Sequence, residues 1–168
     1  MRVTVKSPRE LELMRRAGRV VGKVLERMVE MTKPGVTTGQ LDQAAAEVIY
    51  QEGAEVAFKG YLGYPKHICV SVNEEVVHGI PGGRVLKEGD LVGVDVGARV
   101  EGYYGDAAVT IPVGQVGAEA SRLIRDTRDA LIQGIRAMRP NARLRDVSAA
   151  IQAFAESKGY GIVRQYVG

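Results

Sequence analysis

Several residue types are scarce in this 168-residue sequence, and each scarcity excludes a class of protein. The single cysteine, Cys69, excludes an intramolecular disulfide and is typical of a reducing compartment. No apolar run approaches the roughly 20 residues that span a bilayer. The opening residues 1–7 do not resemble a signal peptide. The sequence therefore predicts a cytoplasmic protein with no membrane segment.

An excess of one charge is also lacking, because 23 basic and 20 acidic residues leave a net charge of only +3. This balance does not predict specific nucleic-acid binding. One segment stands out, since residues 122–145 contain seven arginines interspersed with aspartates. We interpret this run as a solvated helix face. The alternative is a patch that faces nucleic acid or the ribosome.

Four helices are predicted from apolar spacing and end signals. Ser7, Pro8 and Glu10 form a capping box with proline at the first helical position, so the first helix begins at residue 8. Its apolar residues recur at helical spacing to about residue 31. A second helix follows the cap at 37–40 and ends at Gly53. The third and fourth predicted helices cover about 118–138 and 144–158.

Two aspartates on one predicted β-hairpin are the most informative feature. Asp95 lies in the apolar run 91–100 and Asp106 in the run 103–111, joined by a turn at 101–102. The first run predicts a strand buried in a sheet interior, where a carboxylate needs a partner. The hairpin places the two carboxylates opposite or diagonal to each other, which favours a divalent metal between them. Alternatively, Asp106 closes a turn and backbone amides satisfy Asp95.

A histidine upstream adds to this interpretation. His78 is one of only two histidines and lies in a loop rich in glycine and proline, after the apolar strand 68–72. An imidazole close to two carboxylates is suited to moving a proton or to donating a hydrogen bond in a transition state. Taken alone, a single histidine in a loop is more often structural.

Five short motifs occur together in this sequence. They are His78-Gly-Ile-Pro81, Gly89-Asp90, Val94-Asp-Val-Gly97, Gly102-Tyr-Tyr-Gly-Asp106 and Pro112-Val-Gly114. In this combination the chain resembles the type I methionine aminopeptidases of the bacterial kind, from about Ser7 to Gly168. The resemblance implies an α+β pita-bread fold (creatinase/aminopeptidase), here incomplete. Its expected parts are a helix pair, an antiparallel sheet with a β-hairpin, and a second helix pair.

The resemblance also implies roles for particular residues. It makes Asp95 and Asp106 metal ligands and His78 a catalytic residue that faces the substrate. The methionine side chain would contact four residues, Phe58, Tyr61, Tyr64 and Cys69. The implied cofactors are two divalent ions (cobalt, manganese, iron(II) or zinc), which polarise the scissile carbonyl and activate water. The implied substrate is the N-terminal methionine of nascent proteins, with the ribosome as a further partner. Two departures from the family pattern are Tyr104, in place of a common histidine, and Leu62, at a position that is often polar.

The end of the sequence matches an internal part of the family pattern. The segment 161–168 resembles the residues before a His-Gly-Ile-Gly motif whose histidine is a metal ligand, and two glutamate ligands should follow. The resemblance therefore implies that 1–168 is the N-terminal portion of a single catalytic domain. That portion would hold two of five ligands, without the C-terminal ones. A strand edge left open in such a portion predicts a homodimer of this chain.

A faint internal repeat supports the same interpretation. Residues match at an offset of 106, and the five matched pairs are Pro34/Pro140, Leu41/Val147, Ala44/Ala150, Val48/Phe154 and Gly53/Gly159. The first pseudo-repeat would cover about 7–114, and a truncated second one about 115–168. A chance likeness between two helical hairpins is the alternative.

Two other functions stay open. A relative of the X-Pro dipeptidases would share the fold and the ligand types. The His-Gly-Ile-Pro loop at 78–81 and the lack of an additional N-terminal domain weigh against it. A non-catalytic half-domain or binding module of the same fold is the other alternative. The retention of Asp95, Asp106 and His78 weighs against inherited loss of chemistry.

We expect a polypeptide of these 168 residues alone to be inactive as a methionine aminopeptidase. Two aspartates are too few ligands to hold a pair of metal ions against water, because affinity depends on ligand number and on supporting hydrogen bonds. Hydrolysis of Met-Ala-Ser with added cobalt or manganese measures this. Turnover that matches a longer polypeptide with the further ligands would contradict the expectation.

Overall fold

The computed structural model of the protein describes residues 4–163. The chain divides into two compact units, with the boundary between Val116 and Gly117. The elements of the first unit are helices α1 (Pro8–Met31) and α2 (Thr38–Gln51), strands β1 (Glu55–Val56) and β2 (Cys69–Val72), and strands β3 (Leu91–Val100) and β4 (Tyr103–Pro112). The second unit contains α3 (Ala118–Ala137) and α4 (Leu144–Ser157). The four predicted helices and the predicted hairpin are confirmed to within a residue or two.

Local hydrogen bonds determine where α1 begins. The Ser7 hydroxyl accepts from the Glu10 amide, and the Glu10 carboxylate accepts from the Ser7 amide at 2.6 Å. The same carboxylate accepts from the Tyr103 hydroxyl at 2.8 Å, so it also joins the start of the helix to β4. The predicted capping box is therefore confirmed, and it has a tertiary partner that the sequence pattern did not indicate.

The four strands form one antiparallel sheet. β3 pairs with β4 along one edge and with β1 and β2 along the other. The hairpin register runs from Leu91 opposite Pro112 to Val100 opposite Tyr103. Glu101 and Gly102 both have positive φ, 49° and 87°, as a two-residue turn between twisted strands requires. This turn sets the register of both long strands.

The core of the first unit lies between one face of the sheet and the helices α1 and α2. Alternate β3 residues point into it, together with Val70 and Val72 of β2 and the buried face of α1 around Val24 and Met28. Gly105 of β4 lies so close to α1 that a Cβ there would be 2.7 Å from the Ala17 carbonyl carbon. Helix α1 therefore packs directly onto the backbone of the hairpin.

The expectation that β3 is buried on both faces is wrong for the part of the chain that the structure describes. Its even-numbered residues are buried, whereas most odd-numbered ones, Asp95 among them, are only half-buried. The physical reason is the strict alternation of side chains along a strand. Only one face of β3 contacts the helical layer, and the other face carries glycine and aspartate.

In the second unit, α3 packs closely against α4. A Cβ at Gly134 would lie 2.7 Å from the Ile151 side chain, so glycine permits this approach. The Tyr160 hydroxyl donates to the buried Asp126 carboxylate at 2.9 Å, which joins the end of α4 to α3. These contacts make the pair a compact helical hairpin.

The bounds of the helices agree with the offset of 106 residues. α2 and α4 both begin and end 106 positions apart, at Thr38 and Leu144 and at Gln51 and Ser157. The turns before them contain Gly35 and Asn141, again 106 apart and both at positive φ. These coincidences support the proposed pseudo-repeats, which stay a prediction. The predicted run-in at 161–168 lies largely outside the described residues.

No helix in the described residues 4–163 combines the length and the apolar character that crossing a membrane requires.

We predict that Glu10 contributes stability that is lost in acid. Its hydrogen bonds to Ser7 and Tyr103 lower the pKa of the folded carboxyl from 4.5 to about 2. A lowered pKa means that the contribution is complete above pH 4.5 and is lost as the pH falls through about 2. Urea unfolding of the Glu10→Gln variant should therefore show a stability deficit that shrinks across this window. Glu26→Gln, at an exposed position of α1, is the control and should show no such deficit. A Glu10→Gln deficit that stays constant between pH 5 and about 2 would refute the assignment.

Candidate metal and substrate site

The hairpin register places both aspartates on one face of the sheet. Asp95 lies opposite Ala108, and Asp106 lies opposite Gly97. The two aspartates are therefore diagonal neighbours across the β3–β4 ladder, as predicted, with Cα atoms about 7–8 Å apart for such a pair. Their face is the one that does not contact α1 and α2.

Asp95 has the electrostatic character of a metal ligand. Its Oδ1 atom is fully buried and has no hydrogen-bond partner among the described residues. Burial raises the pKa of Asp95, and the negative charge of Asp106 raises it further, while His78 lowers it. An unpaired buried oxygen is unfavourable for an anion. A cation between the two carboxylates would remove both the lost solvation and the repulsion, so this pair fits a metal ion.

The two carboxylates lie apart from any larger set of ligands. Among residues 4–163, no group of three or more histidine, cysteine, aspartate or glutamate side chains could together hold a metal ion. Asp95 and Asp106 therefore form at most part of a coordination shell here.

Cys69 and Tyr64 lie beside the aspartates. Cys69 of β2 is the Cα partner of Asp95 across the sheet, and its side chain is buried. Burial raises the pKa of the Cys69 thiol, and the charges of Asp95 and Asp106 act in the same direction. The pKa of Tyr64 is raised as well, mainly by burial and then by its hydrogen bond with Cys69. Both groups therefore stay neutral, as suits the wall of a pocket for an apolar side chain.

Phe58 packs against the same face of the sheet. Its ring lies directly over Gly97, since a Cβ at position 97 would be 2.5 Å from Phe58 Cε1. Gly97 is in turn the partner of Asp106, so the ring lies next to the carboxylate pair. Only a residue without a side chain allows an aromatic ring to pack this closely on β3.

Tyr61 and Leu62, unlike Phe58, Tyr64 and Cys69, are exposed to solvent. Tyr61 is 70% exposed and lies in a short 3₁₀ turn, Tyr61–Gly63. Leu62 in the same turn is 91% exposed and adopts a left-handed conformation with φ 47°. The structure therefore brings Phe58, Tyr64 and Cys69 to the aspartates, but leaves Tyr61 at the solvent-exposed tip of the loop.

His78 lies in an exposed loop that is held firmly at the next residue. The Gly79 amide donates to the Ser71 hydroxyl, and the Val70 amide donates to the Gly79 carbonyl, both at 3.0 Å. A Cβ at Gly79 would overlap the Val70 carbonyl, so only glycine fits. His78 itself has φ 60°, a strained conformation of the kind that clusters at functional sites. Its imidazole is close enough to Asp95 to lower the pKa of that carboxyl.

Sequence reasoning missed one buried polar cluster near this site. The Asp42 carboxylate on α2 accepts hydrogen bonds from the His67 amide, the Ile68 amide and the His67 ring. The available signal was His67, the other of only two histidines, which precedes the strand that carries Cys69. Asp42 itself gives no such signal, because an aspartate in a helical pattern is ordinarily solvated.

Comparison with known proteins decides the family. The model of metallopeptidase family M24 matches residues 12–168. The chain belongs to this family. It is 46% identical to methionine aminopeptidase 1 of Bacillus subtilis over 99% of its own length and 67% of that protein. Its identity to the methionine aminopeptidase of Clostridium acetobutylicum is 47%, with the same coverage. The chain thus spans about two thirds of the length of the curated relatives it matches.

Solved structures agree with this result. The chain superposes on a methionine aminopeptidase from Thermotoga maritima with a TM-score of 0.96 and 44% identity, covering 99% of this chain and 68% of that one. An Xaa-Pro dipeptidase from Bacillus anthracis shares the fold, with a TM-score of 0.82 at 22% identity, covering 94% and 43%. The predicted resemblance and the α+β pita-bread fold are confirmed, and the X-Pro dipeptidase alternative is not favoured.

We predict that Asp95→Asn stabilises the chain when metal is absent. It should also abolish the change in the free energy of unfolding that added metal causes in the wild type. The substitution eliminates a desolvated charge and its repulsion with Asp106, which should raise the free energy of unfolding by about 1 kcal/mol. Urea unfolding with EDTA, and then with millimolar manganese, measures both effects.

Asp90→Asn is the matched control for this substitution. The Asp90 carboxylate accepts hydrogen bonds from the Asn73 side chain and the Lys87 amide, which lower its pKa. Its loss should therefore destabilise the fold, without changing the response to manganese. An Asp95→Asn variant that is less stable than the wild type in EDTA would show that the carboxylate is satisfied within the fold.

Proposed function

We propose that this chain supplies the first metal ligands, the catalytic histidine and the methionine pocket of a bacterial methionine aminopeptidase. The observation that carries the proposal is the unpaired Asp95 oxygen beside Asp106, on a face lined by Cys69, Tyr64 and Phe58. Methionine aminopeptidases that are 42–47% identical to this chain support it. The substrate would be a cytoplasmic polypeptide with an N-terminal methionine.

Asp95 and Asp106 would hold divalent metal, which the metallopeptidase family implies. Two ions are proposed, drawn from cobalt, manganese, iron(II) or zinc, because carboxylate ligands accept several divalent metals. Such ions supply Lewis-acid polarisation of a carbonyl and a water of lowered pKa. Asp95 Oδ1 would be available as a ligand, because it has no hydrogen-bond partner among the described residues.

The pocket beside the carboxylates suits a methionine side chain. The rings of Phe58 and Tyr64 and the neutral thiol of Cys69 present an apolar, polarisable wall, on which a thioether packs favourably. Tyr61, at the exposed tip, would contact the substrate only if the loop moves inward.

His78 would act on the peptide bond itself. Its imidazole is close enough to Asp95 to lower the pKa of that carboxyl, and the next residue, Gly79, is anchored to the Ser71 hydroxyl. From such a place its ring would donate a hydrogen bond to the scissile amide or to the developing oxyanion. Proton transfer to the leaving amine is the other role that imidazole chemistry permits.

Two further partners are a second copy of this chain and the ribosome. β4 is paired on only one side within the described residues, and its outer face is largely exposed, which favours a second copy of this chain as a partner. The arginines of α3 and α4 remain a proposed ribosome-facing patch. Sedimentation and ribosome binding, respectively, would measure these interactions.

The test of this function uses residues 1–168 continued by the C-terminal ligand region of the Bacillus subtilis relative. We expect this protein to release methionine from Met-Ala-Ser. Its His78→Ala variant should lose about 10²- to 10⁴-fold in kcat, because hydrogen bonding or proton transfer at the reacting centre is lost. Metal content, measured by mass spectrometry, should be unchanged.

Val77→Ala is the control, since this exposed neighbour lies in the same loop and should leave kcat unaltered. A His78→Ala protein that lacks metal but recovers full rate at high metal concentration would make His78 a ligand rather than a catalytic residue.

A further inference from the structure

Asp42 is an unusual residue to find in the interior of this protein. It is only 4% exposed, yet it is an aspartate on a helix whose other buried side chains are apolar except for Thr38. Its Oδ1 accepts from the amides of His67 at 2.8 Å and Ile68 at 3.1 Å, and its Oδ2 is 2.9 Å from His67 Nδ1. These three contacts join α2 to the residues that lead into β2.

The His67 ring extends this contact to a third residue. A carboxylate can only accept hydrogen bonds, so Nδ1 of the ring carries the hydrogen and donates it to Asp42. In the neutral ring Nε2 is then an acceptor, and the Lys59 Nζ lies 3.1 Å from it. Because an ammonium group has only donors, Lys59 donates to His67, which donates to Asp42. We call these three residues the Asp42–His67–Lys59 bridge.

The bridge closes a loop between Lys59 and His67. The loop carries Tyr61 and Tyr64, and Phe58 directly precedes it. Its own backbone hydrogen bonds are few. In two of them the Gly60 amide donates to the Tyr64 carbonyl, and the Tyr64 amide donates to the Tyr61 carbonyl. Its tip is exposed and left-handed at Leu62, which is unfavourable for a leucine. The loop therefore depends on the contacts at its two ends for a defined position.

A second contact links the loop to the segment that follows His78. The Tyr64 hydroxyl lies 3.0 Å from the carbonyl oxygens of both Ile68 and Gly79. Ile68 is held by Asp42 through its amide, and Gly79 directly follows His78. Tyr64 therefore joins the wall of the pocket to the loop of His78, while the Gly79 amide is held separately by the Ser71 hydroxyl at 3.0 Å.

We propose that the Asp42–His67–Lys59 bridge positions the loop 59–67 as a wall of the methionine pocket, and thereby sets the affinity for the substrate's first side chain. None of the three residues forms a hydrogen bond or ion pair with Asp95 or Asp106 in the described part of the chain, so they are positioning residues rather than catalytic ones. The proposal rests on the proposed function for its substrate.

The simpler interpretation is that Asp42 only satisfies two backbone amides. It accounts for the contacts to Oδ1, but it gives the His67 ring and Lys59 no role. The ring is largely buried, with 15% of its side chain exposed, and both of its nitrogens have partners. A histidine that is fully hydrogen-bonded between the two ends of one loop is better explained as a brace across that loop.

Three variants separate these interpretations in the extended protein described above. His67→Phe keeps an aromatic ring but removes both hydrogen bonds of the side chain. His67→Gln retains one donor and one acceptor, and so it should restore much of the bridge. Lys66→Ala is the control, because the Lys66 side chain makes no hydrogen bond or ion pair in the described part of the chain.

Two measurements are needed for each variant. Amide hydrogen exchange at Gly60 and Tyr64 reports whether the loop holds its position, independently of any activity. Steady-state kinetics on Met-Ala-Ser reports KM and kcat separately. For His67→Phe we expect exchange to be at least about tenfold faster and KM to rise roughly ten- to a hundredfold, with kcat nearly unchanged. His67→Gln should recover most of both effects, and Lys66→Ala should show neither.

Several results would overturn the proposal. They are unaltered exchange in His67→Phe, a fall in kcat at constant KM, and a failure of His67→Gln to recover. If the wild-type extended protein does not release methionine, the proposed function fails instead. Exchange in His67→Phe then still decides whether the bridge positions the loop.

Discussion

The site depends on one constraint, the register of the β3–β4 hairpin. The turn at Glu101-Gly102 requires two residues at positive φ, and it pairs Gly97 with Asp106. A shift of one residue would turn Asp106 toward α1, because side chains alternate between the faces of a sheet. It would also move Gly105 away from the place where α1 touches the sheet. The tightness of the helix contact and the pairing of the carboxylates are therefore consequences of the same turn.

The electrostatic state of the carboxylates follows from that register. The two residues of a diagonal pair are close enough for the negative charge of Asp106 to raise the free energy of ionised Asp95. Asp95 also loses solvent on its buried side, so its pKa rises. The fold keeps this unfavourable arrangement because the turn, the core face of β3 and the Gly105 contact hold the strands in place. A cation turns the same arrangement into a favourable one, as at many functional sites where strain is supported by the surrounding structure.

Local signals explain why much of this could be predicted from the sequence. Ser7, Glu10 and Thr37 act through hydrogen bonds three residues away, so the starts of α1 and α2 are visible in the sequence. The hairpin is also local, and its turn determines the diagonal relation of Asp95 and Asp106. The family motifs then implied roles for Phe58, Tyr64 and Cys69, which no spacing rule would have connected to a carboxylate pair more than twenty residues away.

The remaining features come from contacts between distant segments. Asp42 and His67 lie 25 residues apart, and Tyr103 reaches Glu10 across 93 residues. No periodicity reports such pairs, since each partner is ordinary in its own segment. The half-exposed face of β3 was missed for a related reason. The run around Asp95 is apolar on average, and only the alternation of valine with glycine and aspartate shows that one face differs from the other.

Glycine is the common device by which distant segments reach this sheet. Gly97 admits the ring of Phe58 on the carboxylate face, and Gly105 admits α1 on the opposite face. Gly79 lets the loop of His78 approach β2, where a Cβ would overlap the Val70 carbonyl. Each glycine lowers the intrinsic stability of its segment, because it adds conformational freedom to the unfolded chain. That loss is offset by packing that no larger residue allows. The three contacts bring an aromatic wall, a supporting helix and a histidine loop to one carboxylate pair, so the positions of these glycines are as much a part of the site as its charged residues.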